Sequence, residues 1–221
     1  MTNIFRCLID NESFLFEDAT NSHCCHYIEK ELNEDCYGLK KMHFGEGDVV
    51  LDIGGHIGMF AIPLIRRHPN LIVHSFEPMP INYEHFQKNM RRNDVKGNLK
   101  LHRLAITSDG RDVLLSAKDA NSGSASICFR QGCAHHGYAH STTLAAFLSD
   151  FKIDNIKLLK VDCEGTELEL LTDNTTILER VEFLALEVHK TKFRRIGIDC
   201  QAFVDTLRRS FVGDRLTIKI L

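Results

Sequence analysis

Apolar and polar residues follow two rhythms along this chain of 221 residues. Short unbroken apolar runs, typical of parallel strands buried on both faces, lie at about 48–53, 71–76, 99–106, 156–162, 181–188 and 214–220. Apolar residues at helical spacing predict helices at about 57–67, 80–92, 142–151, 164–171 and 199–210. Strands and helices that take turns imply βαβ units, so the pattern predicts an α/β fold with a mostly parallel, doubly wound sheet.

Three stretches depart from this rhythm. Residues 1–46 predict a small appendage, in which "FRCLID" and "SFLFED" form a hairpin around Asn11 and "CCHYIEKEL" forms a helix. We expect residues 47–221 to form the main domain, with a hairpin/lid insertion at about 108–141. It is made of a hairpin ("DVLLSA" with "SASICF") and a Gly- and His-rich loop, 134–140, and loops this long tend to be lids or binding segments. Pro63 predicts that the helix at 57–67 either kinks or begins later.

Composition narrows the choice of partners and of compartment. A net charge of -3 gives no electrostatic reason to expect a nucleic acid, and no apolar run approaches the roughly 18–20 residues that span a bilayer. The start, "MTNIFRCLIDNESF", lacks the pattern of a secretory signal. Eight cysteines are scattered along the chain, which favours reduced thiols in a cytoplasm over a disulfide framework. We expect a cytoplasmic protein without nucleic-acid or membrane partners; the oligomeric state stays open.

The stretch "VVLDIGGHIG", residues 49–58, carries the first candidate chemistry. A strand that ends near Asp52 and runs through a glycine-rich turn into a helix is expected to present bare backbone amides at the sheet edge where α/β proteins bind ligands. The dinucleotide fingerprint G-x-G-x-x-G fails, because its first glycine would be Ile53, and no G-K-[ST] follows. An acidic residue beside such a turn suits a cationic ligand such as S-adenosylmethionine, whereas it would repel a pyrophosphate.

The next strand adds a second acidic residue. "IVHSFEP" ends at Glu77, where a carboxylate can accept hydrogen bonds from ribose hydroxyls. Together the two features predict S-adenosylmethionine as the cofactor. The residues expected to contact it are Asp52, Gly54, Gly55, His56, Gly58, Glu77 and Ala105.

Two later strand ends supply candidate catalytic residues. "LLKVDCEG" brings Asp162 and Glu164 to the carboxyl edge of the sheet, and "FLALEVH" brings Glu187 and His189. Such a group can position a hydroxyl by hydrogen bonds, with His189 as the base. A divalent cation fits the same oxygens but is not favoured, because carboxylates at strand ends do not amount to a ligand set. We therefore assign no metal ligand.

The ordered blocks "VVLDIGGHIGMFA", "HSFEPMPINYEHFQKN", "LHRLAITSDG", "IKLLKVDCEGTELELL" and "FLALEVH" resemble those of the FkbM-type S-adenosylmethionine-dependent methyltransferases. The resemblance runs from about Gly47 to His189, and its most specific part matches K-[IV]-D-x-E-G-x-E. It implies a Rossmann-like methyltransferase fold and O-methylation of a sugar or polyketide-type hydroxyl. Two departures stand out: Gly55 and His56 replace the usual Ala and Asn, and Ala145 and Ala146 follow T-L where an acidic residue is common.

Three functions are therefore compatible with the sequence. The first is an O-methyltransferase acting on a sugar or natural-product small molecule. The second is a methyltransferase directed at nitrogen or nucleic acid, which the absence of an N/D-P-P-[YF] tetrapeptide disfavours. The third is a non-catalytic, cofactor-binding paralogue that acts in a complex.

Overall fold

The computed structural model describes residues 2–20, 22–117, 134–163, 167–172, 175–195, 197, 199–211 and 213–220. The strands are β1 Thr2–Ile9, β2 Glu12–Ala19, β3 Val49–Ile53, β4 Ile72–Phe76, β5 Leu99–His102, β6 Ala105–Thr107, β7 Val113–Ala117, β8 Ala134–Ala139, β9 Ser141–Thr143, β10 Ile156–Val161, β11 Val181–Val188 and β12 Leu216–Ile220. The helices are α1 Cys24–Asn33, α2 Ala61–Arg67, α3 Pro80–Arg92, α4 Leu144–Asp150, α5 Glu167–Thr172, α6 Thr175–Leu178, α7 Lys190–Arg195 and α8 Cys200–Ser210.

Six strands form the central sheet in the order β12-β11-β10-β3-β4-β5, and all of their pairings are parallel. Alternate residues of β3 enter different cores: Val50 packs with Ile62 and Phe86 from α2 and α3, whereas Leu51 packs with the cluster that contains Phe147 of α4. Both faces of the sheet are thus covered by helices, which confirms the predicted α/β class. In the described ranges, no helix has the length and apolar character needed to cross a membrane.

Two predicted elements of the main domain are corrected by the structure. The strand expected at 99–106 is divided, because the Ala105 N–H donates to the His140 carbonyl (3.0 Å) and β6 then pairs with β9 instead of the central sheet. Helix α2 begins at Ala61 and not at 57, so Pro63 falls in its first turn, where the missing N–H breaks no intrahelical hydrogen bond.

The insertion has a different hairpin from the one predicted. Strand β7 pairs antiparallel with β8, residues 134–139, which the sequence had suggested was a loop; "SASICF" lies outside the described residues. The polar and glycine residues of β8 gave no apolar alternation by which the strand could be predicted. Its Ala139 is buried in a small cluster with Leu115 and Met79. The lid role of the insertion stays a prediction.

The N-terminal hairpin docks onto α3 through two side-chain amides. Asn93 accepts a hydrogen bond from the Leu15 N–H (2.9 Å) and donates to its carbonyl (2.7 Å), and Asn89 does the same with Glu17 of β2 (2.7 and 3.2 Å). The two side-chain amides pair with the backbone of β2 as a neighbouring strand would. The buried side of the hairpin therefore packs in the same core cluster as β3 of the central sheet. The division at residues 46/47 remains a prediction.

Replacing Asn93 with alanine is expected to lower the free energy of unfolding by about 1–3 kcal/mol, because the Leu15 N–H and carbonyl both lose their partner. Urea denaturation followed by circular dichroism measures this change. Glu84→Ala is the matched control, since Glu84 is exposed on the same helix. Equal stability of the two variants would contradict the docking role.

Candidate functional site

A cavity of about 250 Å³ opens at the carboxyl edge of the central sheet. The turn after β3, the end of β4, residues 104–106 and the ends of β10 and β11 line it, and α1 closes one side. This is the edge at which open α/β sheets bind ligands.

The turn after β3 needs glycine at two positions. Gly54 and Gly58 have φ angles of +87° and +91°, in the left-handed region that side chains disfavour. A Cβ at Gly54 would lie 1.8 Å from the Asp162 carbonyl oxygen, and one at Gly58 would lie 2.5 Å from the Phe86 ring. The turn is therefore packed against both the end of β10 and helix α3.

The expectation that this turn presents bare backbone amides is wrong. The N–H groups of Gly54 and Gly55 both donate to the Phe76 carbonyl (3.0 and 2.9 Å), and the Gly58 N–H donates to Gly55 (2.9 Å). The His56 N–H donates to Oε2 of Glu77 (2.8 Å). Three of these hydrogen bonds tie the turn to the end of β4, so the four amides are not free donors to the cavity.

Asp52 lies beneath the turn and is completely buried. Its Oδ2 accepts a hydrogen bond from Ser75 (2.6 Å), and its Oδ1 lies 3.0 Å from the Nζ atom of Lys160. The carboxylate is therefore compensated inside the protein. Direct contact between Asp52 and a cationic cofactor stays a prediction.

Lys160, in β10, links several parts of the site and was missed in the sequence analysis. Its Nζ donates to the Gly54 carbonyl (3.1 Å), lies 3.7 Å from Asp162, and sits over the rings of Tyr37 and Phe60. Burial alone lowers the pKa of Lys160, but the neighbouring aspartates outweigh burial and raise it above its ordinary value. Two signals were available: Lys160 lies within the apolar run "IKLLKV" of a buried strand, and it is the first residue of the matched pattern K-[IV]-D-x-E-G-x-E.

Glu77 follows β4 and lines the cavity, although only 5% of its surface is exposed. Besides the His56 amide, its carboxylate accepts the Met79 N–H (2.9 Å). Burial raises the pKa of Glu77 to about 7, against the lowering effect of the two backbone hydrogen bonds. Ala105 lines the cavity nearby, at an apolar end that also includes Leu115.

The candidate catalytic groups Asp162, Glu187 and His189 come together, each offering one atom within 4.8 Å of the others. Glu164 lies outside the described residues. Burial, followed by repulsion from Asp162, raises the pKa of Glu187 to about 7. Lys219 of β12 lies 3.3 Å from the same carboxylate and opposes that rise.

Helical spacing in "GTELELL" predicts that Glu167 and Glu169 are both surface charges, and for Glu167, the first residue of α5, that prediction is wrong. It is fully buried, and its Oε1 lies 2.7 Å from Nδ1 of His189. The surface interpretation does hold better for Glu169, whose carboxylate pairs with the half-exposed Arg111 (2.7 Å). Spacing along a short helix did not distinguish the two glutamates, although of the two only Glu167 belongs to the matched pattern K-[IV]-D-x-E-G-x-E.

Helix α1 supplies a wall of the cavity that the sequence did not indicate. Tyr27, Ile28 and Glu31 line the cavity from this helix, and Lys219 bonds to both Glu31 and Glu187. The appendage is therefore fastened to the edge of the sheet beside the candidate catalytic group. Of the His-rich segment, the described side chains of Tyr138 and His140 do not line this cavity.

Comparison with known sequences gives a match to the family described as "Methyltransferase FkbM domain" over residues 52–213. The chain is 27% identical over 165 residues to Methyltransferase 1 of Beauveria bassiana, covering 66% of this chain and 65% of that protein. It is 35% identical over 74 residues to the 31-O-demethyl-FK506 methyltransferase FkbM of Streptomyces tacrolimicus, covering 33% and 28%. It is 26% identical over 149 residues to the hexuronic acid methyltransferase AglP of Haloferax volcanii, covering 65% and 57%.

The chain thus spans less than two thirds of the length of each of these three relatives. Among solved structures, the apo form of the S-adenosylmethionine-dependent methyltransferase SibL aligns with a TM-score of 0.42 and 15% sequence identity. That alignment covers 91% of this chain and 49% of SibL.

Proposed function

This chain belongs to the FkbM methyltransferase family, and from that premise we propose that it transfers a methyl group from S-adenosylmethionine to a hydroxyl oxygen of a sugar or natural-product small molecule. The observation that carries the proposal is the cluster of Asp162, Glu187 and His189, of which Asp162 and Glu187 line the same cavity as the turn after β3. The names of two relatives, a 31-O-demethyl-FK506 methyltransferase and a hexuronic acid methyltransferase, support acceptors of this kind.

The residues around the cavity fit two parts of the cofactor, the ribose and the adenine ring. The buried Glu77 carboxylate is the acceptor for the ribose hydroxyls, and the apolar end beside Ala105 and Leu115 suits the adenine ring. We also propose that the turn after β3 contacts the cofactor, through Asp52, Gly54, Gly55, His56 and Gly58. Asp52 contributes through its ion pair with Lys160, and the other four residues set the shape of the turn.

S-adenosylmethionine supplies an electrophilic methyl group, and the acceptor oxygen gains that carbon as the bond to sulfur breaks. The acceptor hydroxyl must lose its proton, which we assign to His189. Asp162 and Glu187 orient the hydroxyl through hydrogen bonds, and holding it in line with the methyl group lowers the barrier. Because Lys219 and Lys160 already face these two carboxylates, we propose that the reaction needs no divalent cation.

Binding and transfer can be tested separately. Calorimetric titration with S-adenosylhomocysteine is expected to give one site per chain. The purified protein is then expected to transfer a labelled methyl group to at least one member of a panel of glycosides, uronic acids and macrolides. Chelation followed by Mg²⁺ is expected to leave the rate unchanged.

Each failure has a distinct meaning. No cofactor binding would refute the proposal as a whole, whereas binding without transfer would favour the non-catalytic paralogue. Transfer to nitrogen or nucleic acid would move the acceptor to another class, and transfer that requires Mg²⁺ would overturn the metal-free mechanism. The cytoplasmic location also remains a prediction, which fractionation of the native host would test.

A further inference from the structure

We infer that Glu167 is a positioning residue that holds the His189 imidazole with its Nδ1 protonated, so that Nε2 is the atom that accepts the proton. The inference rests on the proposed function in one respect, which is the choice of His189 as the base. Its structural part, the state of the imidazole, can be tested without any acceptor.

The hydrogen bond between the two side chains sets the proton position. Glu167 Oε1 and His189 Nδ1 are 2.7 Å apart, and both residues are buried, with 0% and 7% of their surfaces exposed. An ionised carboxylate only accepts hydrogen bonds, so the shared proton belongs to Nδ1. A neutral imidazole carries one N–H, which leaves the lone pair on Nε2.

The fold gives this pair a fixed geometry. His189 directly follows β11, and Glu167 opens α5, whose helix packs in the core cluster through Leu170 and Leu171. A carboxylate that begins a buried helix has little freedom to move, so the orientation of the ring is set before any ligand enters.

The charged groups around His189 suit a ring that gains a proton during the reaction. Asp162 faces it from the end of β10 and Glu187 from β11, and Glu167 completes the set from α5. Lys160 and Lys219 lie behind the first two carboxylates. Negative charge next to the ring stabilises the imidazolium that forms when the acceptor hydroxyl is deprotonated.

Glu169 offers a matched control on the same helix. Its carboxylate makes two hydrogen bonds with the guanidinium of Arg111 (2.7 and 2.8 Å) and accepts the Ser108 N–H (3.1 Å). Glu169→Gln therefore changes the same residue type in the same short helix and leaves the hydrogen bond to His189 in place.

The first experiment reads the imidazole directly in the full chain. Nitrogen-15 NMR of labelled histidines, with His189 assigned through a His189→Asn variant, is expected to show the Nδ1–H tautomer in the wild type and in Glu169→Gln. Glu167→Met is expected to lose that preference, because the methionine cannot accept the hydrogen bond. An Nε2–H tautomer in the wild type would overturn the inference.

The second experiment uses an acceptor found in the methyl-transfer screen. Glu167→Gln is expected to lower kcat about tenfold or more and to move the acidic limb of the pH–rate profile to lower pH, with the KM for S-adenosylmethionine unchanged. Glu167→Asp is expected to restore part of the rate. Wild-type kcat and pH profile in both Glu167→Gln and Glu167→Met would reduce Glu167 to a packing role and overturn the inference.

Failure of the proposed function would look different from these results. A wild-type protein that does not bind S-adenosylhomocysteine, yet keeps the Nδ1–H tautomer, would refute the methyl-transfer proposal and leave the Glu167–His189 pair intact. Binding by Glu167→Gln and Glu167→Met at wild-type affinity confirms that the variants are folded.

Discussion

Replacing Lys160 with methionine is expected to lower the free energy of unfolding by about 3–5 kcal/mol. The substitution leaves the completely buried Asp52 carboxylate without the ammonium group that lies 3.0 Å away. It also removes the donor to the Gly54 carbonyl, so the turn after β3 loses one of its anchors. Urea denaturation measures the effect, and calorimetry with S-adenosylhomocysteine is expected to show weaker binding as well.

Two further variants separate buried charge from general damage to β10. Lys157→Met changes the same residue type in the same strand, but its partners Glu182 and Asp48 are both partly exposed to water, so a loss below about 1 kcal/mol is expected. The double variant Asp52→Asn with Lys160→Met is expected to be more stable than Lys160→Met alone, because the completely buried position 52 no longer carries a charge. If the double variant were no more stable, the Asp52–Lys160 pair would not be the cause.

Most strands of the central sheet could be predicted from the sequence because one physical rule, burial on both faces, determines their residues. Strands covered on both faces are apolar throughout, and five of the six predicted runs matched strands of the central sheet closely. The sixth prediction, a single strand at 99–106, was wrong because an apolar run indicates burial but not which strand it pairs with. Strands β5 and β6 are both partly apolar, yet β5 pairs with β4 and β6 pairs with β9. Strand β8 was not predicted because its sequence "AHHGYA" has too few apolar positions to show the alternation of a strand.

The order of strands along the chain predicted only those residues of the candidate site that lie at strand ends. Asp162, Glu187 and His189 were expected at one edge and lie there, because parallel strands deliver their carboxyl ends to the same side. Lys160 and Glu167 were missed because their partners are distant in sequence. Lys160 meets Asp52 of the neighbouring strand, and Glu167 at the start of α5 meets His189 at the end of β11. Only the three-dimensional packing shows that these charges are buried.

One departure from the family pattern also acquires a physical meaning. Gly55 stands where the family usually has alanine, and a Cβ there would lie 2.1 Å from the Ser75 hydroxyl oxygen. That hydroxyl donates to Asp52 at 2.6 Å. An alanine at position 55 would force the hydroxyl away, so this chain uses glycine where it uses a serine to bind the buried aspartate.

Replacing Glu77 with glutamine is expected to raise the dissociation constant of S-adenosylhomocysteine about 100-fold. In the proposed binding mode a charged carboxylate accepts the ribose hydroxyls, and each hydrogen bond to a charged group contributes about 1.5–3 kcal/mol. Glutamine also turns an N–H₂ group toward either the His56 or the Met79 amide, both of which now donate to Glu77. Glu84→Gln, on the exposed side of α3, is the control and is expected to bind as the wild type does.

The same carboxyl group predicts the pH dependence of binding. Its pKa of about 7 means that roughly one tenth of the free protein is ionised at pH 6 and roughly nine tenths at pH 8. Because the ionised form binds, the apparent dissociation constant is expected to fall about tenfold from pH 6 to pH 8. Glu77→Gln removes this titration, so its curve is expected to be nearly flat, and any slope that remains belongs to the ligand or to Glu187. Calorimetry at the two pH values decides the matter: an equally steep curve in both proteins would mean that Glu77 does not bind the ribose as a carboxylate.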